Sequence, residues 1–274
     1  LAALRDWRLA LLVGVCALLL VLLNQAPLSY GIKVGKDRGP GSDLPFLANF
    51  NDPEGDGDAS FRWSRGAAEI TVPGLGGRGA LLSFDVISHQ GQQQGGGTGA
   101  LDLALPDGAS VQLALRPEPA HYYVYVPPPR ALDGALRVGL HSTPWQQPGD
   151  RRELGVAFGQ ALRVDSVRDG FALPGAMTLL AWPLALALVW LALRIMGFTP
   201  RLALALLLPL AITIPLLQLL DAPRLGFGAP WALQAGALAL LCAALSAWLA
   251  PHILRWLGSS APPHILRWLL LLVT

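Results

Sequence analysis

Apolar and polar positions alternate along this chain on two length scales. On the longer scale, residues 9–23 (LALLVGVCALLLVLL) carry no charge, and the stretches 173–193, 202–220 and 229–250 are nearly as apolar. Each of the later three approaches the roughly 20 residues that cross a bilayer as a helix. A shorter apolar stretch, 265–273, reads as the start of a further span. On the shorter scale, the intervening residues follow a period of two. Strands are predicted over 67–72, 80–88, 99–105, 110–115, 122–126, 135–141 and 160–167. Turn residues separate them, among them Pro73-Gly74, Pro106-Asp107-Gly108, Asp133-Gly134 and Pro148-Gly149. The clearest pair is Leu101-Asp102-Leu103-Ala104-Leu105 and Val111-Gln112-Leu113-Ala114-Leu115, a hairpin with alternating faces.

These patterns predict a membrane protein with one N-terminal transmembrane helix, an all-β sandwich or jelly-roll outer domain, and then a bundle of three to four transmembrane helices. The expected divisions are an anchor over 1–27, a sandwich over 28–172, a three-helix region over 173–250, and a cytoplasmic turn opening a further span over 251–274. Asn24-Gln25-Ala26-Pro27 makes a poor signal-cleavage site, so the first segment reads as an uncleaved anchor.

Charge adds an orientation. Residues 28–173 hold 13 Lys/Arg and 16 Asp/Glu, while the remainder holds 7 Lys/Arg and 2 Asp/Glu. Arg5, Arg8, Arg194, Arg201 and Arg255 fall on one side if every span crosses, and the positive-inside rule makes that side cytoplasmic. The β-domain then lies outside. No basic stripe suits nucleic acid. Both cysteines, Cys16 and Cys242, lie in apolar segments, so the outer domain has no disulfide and no Cys-x-x-Cys site. Thr178, Thr213, Gln218, Gln234 and Ser246 are the polar residues within the spans. None is charged, which argues against a pump or an ion-coupled carrier.

Four places carry candidate chemistry. Asp52, Glu54, Asp56 and Asp58 alternate with Pro and Gly, a pattern able to wrap hard oxygen ligands around calcium. Position twelve of that loop is Trp63 and not Glu, so an exposed acidic turn is the plainer reading; no other cofactor is indicated. In residues 121–126 (HYYVYV), alternation puts His121, Tyr123 and Tyr125 on one face and Tyr122, Val124 and Val126 on the other. With Trp145, the first set is a candidate glycan-binding platform; ordinary packing beside a solvent face is the alternative. The heptapeptide PHILRWL occurs at 251–257 and again at 263–269. Its His252 and His264, each followed by Trp four residues on, resemble the pigment-ligating stretch of bacterial light-harvesting polypeptides; a polar span boundary is the plainer reading. The Gln-Gly-rich stretch 90–99 is a low-complexity loop.

Several short motifs, in order, resemble a set of bacterial multi-pass membrane proteins. They are Phe50-x-x-Pro53-Glu54, Phe61-Arg62-Trp63-Ser64, Ala68-Glu69-Ile70-x-Val72-Pro73, Leu154-Gly155-Val156-Ala157 and Leu162-x-Val164. Those proteins carry an extracytoplasmic jelly-roll-like domain after an initial span and are often labelled glycosyltransferase-like. The resemblance implies a bacterial cytoplasmic membrane with the β-domain on the periplasmic or extracellular side. The leading expectation is a non-catalytic envelope protein whose sandwich binds glycan or a partner protein, with membrane-protein partners in a larger assembly. One alternative is a lipid-phosphosugar-dependent glycosyltransferase, in which Asp52 or Glu54 would act as base and Arg224 would meet phosphate. Such enzymes usually have many more spans. Another is an accessory subunit of a photosynthetic or respiratory complex.

Overall fold

The computed structural model describes residues 5–38, 42–89, 99–129, 131–167 and 170–258. It divides into two compact units. One holds Asn24–Ala176 with Asp221–Gly226; the other holds the remaining helical segments.

Among the described residues, the first unit is built on nine antiparallel strands: β1 Ser29–Lys33, β2 Leu47–Phe50, β3 Arg62–Val72, β4 Ala80–Ser88, β5 Ala100–Ala104, β6 Ser110–Ala114, β7 Ala120–Val126, β8 Leu136–His141 and β9 Ala157–Ser166. Seven of these are the strands legible in the sequence. They form one curled sheet in the order β6-β5-β8-β3-β9-β4-β7, with β1 added beside β9 and β2 beside β3. The expected two-sheet sandwich is thus a single sheet curled into a half-barrel. The reason is the length of β3. Its first residues, Arg62 and Trp63, pair with β9, while Ala67–Val72 pair with β8, so one strand belongs to both halves.

Alternation decides which side of the sheet is dry. On β4, Ala80, Leu82, Phe84 and Val86 are buried, and on β9 so are Phe158, Leu162 and Val164. Phe84 packs against Phe158 at 5.3 Å between ring centroids and stacks on Tyr122 at 5.9 Å. These aromatic pairs add to the burial term that drives the sheet to curl. Ile32, Phe46, Ile70 and Val72 extend the same core.

A buried ion cluster ties the loop after β1 to this core. Asp43 accepts hydrogen bonds from Arg62 Nε at 2.7 Å, from Arg62 Nη2 at 3.1 Å and from the Gly35 amide at 2.6 Å. Arg62 also donates to the Asn51 carbonyl at 2.9 Å and meets Asp37.

The helices are α1 Trp7–Leu23, α2 Ala176–Ile195 and α3 Pro200–Gly258; they make up the second unit apart from Ala176 and Asp221–Gly226, which belong to the first. Ala176–Ile195 and Pro200–His252 are long and apolar enough to cross a membrane. This differs from the expected N-terminal span and bundle of three to four. The first helix has 17 residues and rises about 26 Å, short of the roughly 30 Å hydrocarbon core. The two stretches expected as the last full spans run on as one helical segment. A straight helix of that length would reach about 88 Å, and the segment is interrupted at Asp221, whose φ of −155° and ψ of 68° are not helical.

Candidate functional site

The solvent face of the β1-β9-β4-β7 half of the sheet carries the groove and the aromatic row. Register sets its rows. Gly31 lies opposite Arg163, Arg163 opposite Ser83, and Ser83 opposite Tyr123. Two residues along each strand, Lys33 lies opposite Ala161, and Asp85 opposite His121, while the β4–β9 register shifts between Phe84 and Val86. On the other side, Ser29 faces Asp165, Asp165 faces Leu81, and Leu81 faces Tyr125.

A groove of about 540 Å³ opens on this face. Its lining includes three residues with little or no side chain, Gly31, Gly159 and Ala161. Gly159 is also tight against its neighbour strand: a Cβ there would sit 3.1 Å from Asp85 Cβ and 3.1 Å from Ile87 Cγ2. Lys33, Arg163 and Asp85 rim the groove. Arg163 donates to Asp165 at 3.0 Å and to Ser29 Oγ at 2.7 Å. Lys33 is exposed, and its ammonium has no acidic partner among the described residues.

Beside the groove runs β7, the last strand on this side of the sheet. Tyr123 is 66% exposed and Tyr125 50% exposed, while Val124 and Val126 are buried. The alternation read from the sequence therefore sets the two tyrosines outward. His121 Nδ1 lies 2.5 Å from Asp85 Oδ1, and the His121 ring meets Tyr123 edge to face at 4.6 Å. The carboxylate and the neighbouring ring thereby orient the imidazole. Tyr125 lies over Gly79, where a Cβ would stand 2.6 Å from the phenol oxygen.

Trp145 stands elsewhere. It bridges to Leu154 through backbone hydrogen bonds of 2.7 and 2.8 Å and packs, half-buried, on the small cluster of Trp63, Leu154 and Ala157. The acidic stretch is spread out. Asp52 is exposed. Glu54 pairs with Phe61 in an isolated bridge, and its carboxylate takes Arg152 at 2.7 Å. Arg152 also binds Asp150 at 2.7 Å. Hydrogen bonds to Asp150 and then Glu54 raise the Arg152 guanidinium above its ordinary value, and Arg152 in turn lowers the Asp150 carboxyl. Asp56 precedes a short 3-10 turn, Gly57–Ala59, that contains Asp58. Among the described residues, no three His, Cys, Asp or Glu side chains converge on one point. His252 Nδ1 lies 3.0 Å from the Trp248 carbonyl one turn back; His264 lies outside the described residues.

Arg224 belongs with the β-unit. It pairs with Asp221 at 3.0 Å, and both lie beside the Tyr30 hydroxyl. Burial first, then the Asp221 charge, raise the Tyr30 hydroxyl above its ordinary value against the opposing pull of Arg224.

Sequence reasoning named the aromatic row and missed the groove residues Lys33, Asp85, Gly159 and Arg163. They come from three strands far apart in the chain, and antiparallel register alone brings them together. The available signal was the outward phase of 80–88 and 160–167, where Asp85 and Arg163 occupy solvent positions.

No family model and no curated protein matches the chain. Among solved structures, it is similar to a family two carbohydrate esterase from Cellvibrio japonicus, at 14% identity and a TM-score of 0.32, over 55% of this chain and 36% of the esterase chain. It is similar to the ANX1 ectodomain from Arabidopsis thaliana at 11% identity and a TM-score of 0.35, over 51% of this chain and 41% of that one. It is also similar to an exo-beta-1,3-galactanase from Phanerochaete chrysosporium at 12% identity and a TM-score of 0.28, over 51% and 29% of the two chains.

Proposed function

We propose that this is a non-catalytic integral membrane protein of the bacterial envelope whose β-domain binds glycan on the solvent face of β1, β9, β4 and β7. The observation that carries the reading is the pair of outward tyrosines, Tyr123 and Tyr125, on the face that also holds a groove lined in part by glycine and alanine. An exposed aromatic ring has a hydrophobic face and a fixed orientation, and the C–H face of a pyranose stacks on such a ring. Rim groups that donate and accept hydrogen bonds supply the rest: Lys33 and Arg163 donate, and Asp85 accepts. This combination of an apolar surface with a few placed polar groups is the usual make-up of a small-ligand site. Two apolar helices anchor the domain, and Arg194 and Arg201, flanking the turn between them, favour a cytoplasmic turn and an external domain.

The transferase reading has less support. Glu54 is engaged by Arg152, and Arg224 by Asp221.

The full chain in lipid nanodiscs, screened against an oligosaccharide array, tests the proposal. Binding is expected, and Tyr123→Ala should weaken it by about fivefold or more, in keeping with the 1–3 kcal/mol typical of a lost aromatic stack. An array with no binding by folded protein overturns it.

A further inference from the structure

We infer that the groove takes an acidic oligosaccharide, at least a disaccharide in length, lying across the strands with its sugar rings toward Tyr123 and its anionic group at Lys33. This rests on the glycan-binding reading above.

The direction follows from register. Lys33, opposite Ala161, lies on β1, and His121, opposite Asp85, lies on β7, with β9 and β4 between them and an irregular β4–β9 register at Asp85. Four strands at about 4.8 Å spacing separate the two ends by about 14 Å, which is longer than one pyranose ring. Between the two ends, Ala161, Gly31 and Gly159 present almost no side chain. A ligand that uses both ends must therefore cross the strands, and a single sugar cannot touch both.

The charge preference follows from which ions already have partners. Asp85 is engaged by His121 at 2.5 Å, and Asp165 by Arg163 at 3.0 Å. Lys33 has no such partner among the described residues, so its ammonium is left to meet an anionic group of a ligand. Arg163, two residues along the neighbouring row, has its Nε and one terminal nitrogen engaged by Asp165 and Ser29. Its other terminal nitrogen, Nη1, is engaged by neither and is able to donate to a ligand. A carboxylate or phosphate on the ligand meets an ammonium and a guanidinium edge there, a pairing that charge-assisted hydrogen bonds favour.

The test uses the full chain in zwitterionic nanodiscs and a panel of matched uronate-bearing, phosphate-bearing and neutral oligosaccharides. Thermal unfolding checks that each variant is folded. The acidic members are expected to bind tighter than their neutral counterparts, with the preference shrinking as salt rises. Lys33→Gln should lower affinity for the acidic members by about fivefold, the scale of one exposed ion pair, and lower it less for the neutral ones, which lose a hydrogen-bond donor and no ion pair. Monosaccharides should bind far more weakly than disaccharides. Equal binding of neutral and acidic members, sensitive to Tyr123→Ala and insensitive to Lys33→Gln, overturns this inference and leaves the glycan reading standing. Absence of binding across the whole panel overturns both.

Discussion

Asp43 shows how a single residue can hold a loop. It is fully buried, its partner Arg62 is 4% exposed, and the two share two hydrogen bonds. A buried charge that loses one of its partners is costly, because water does not replace the lost hydrogen bonds. Asp43→Ala is therefore expected to destabilise the protein by about 3–5 kcal/mol, measured by chemical denaturation. Adding Arg62→Met should recover part of that loss, since the buried guanidinium, left with Asp37 and the Asn51 carbonyl, goes too. His89 makes a second residue-scale case. Burial holds its imidazole below the ordinary value. The unfolded chain protonates it near pH 6.5 and the folded chain only at lower pH. Stability contributed by neutral His89 is thus present above that value and falls as pH drops through it. The thermal midpoint should fall between about pH 7.5 and about pH 5.5, and fall less in His89→Gln. An equal drop in both proteins removes His89 as the cause.

Turns decide how the elements join. Gly74, after β3, has φ of +88°, and a Cβ there would land on the Ala222 carbonyl. Gly226 approaches the same turn, with its Cβ position 2.8 Å from Pro73 Cβ. Gly149 has nearly the same backbone, at φ +89°, and open space around it. The pair separates strain from collision. Gly149→Ala should cost about 1 kcal/mol from backbone strain. Gly74→Ala should cost at least about 2 kcal/mol more, because a backbone carbonyl cannot swing aside as a side chain can. Denaturation midpoints of the two variants check this, and equal losses would show that the turn at Ala222 gives way. The elements themselves were unevenly legible. The strands over 80–88 and 110–115 stand out because each alternates over a full length between turn residues. The short β1 and β2 do not. The first contains Gly31, and the second has four residues with a register shift between Ala48 and Phe50 and a left-handed Asn49 at φ 60°. Such irregular strands owe their pairing to β9 and β3 and not to their own pattern.

For the whole molecule, the proposed arrangement predicts opposite exposure of two loops across the membrane. In a background with Cys16→Ala and Cys242→Ala, Gly149→Cys in the β-domain should react with an impermeant maleimide on intact cells. Met196→Cys, exposed in the turn after α2, should react only after permeabilisation. Labelling of both from outside would place the turn and the β-domain on one side and remove α2 as a span.

The chain by itself determined its division into a β-rich domain and apolar helices, because hydropathy and period are local properties. It determined which β7 side chains face outward, because a strand alternates regardless of what it packs against. Tertiary structure alone decided the rest. The curl of the sheet depends on one long strand shared between two neighbours. The partner of Arg62 lies 19 residues away. The groove depends on the register of β1, β9, β4 and β7, which brings Lys33, Asp85 and Arg163 onto one face. Register is set by how the whole core closes, and no local stretch of sequence contains it.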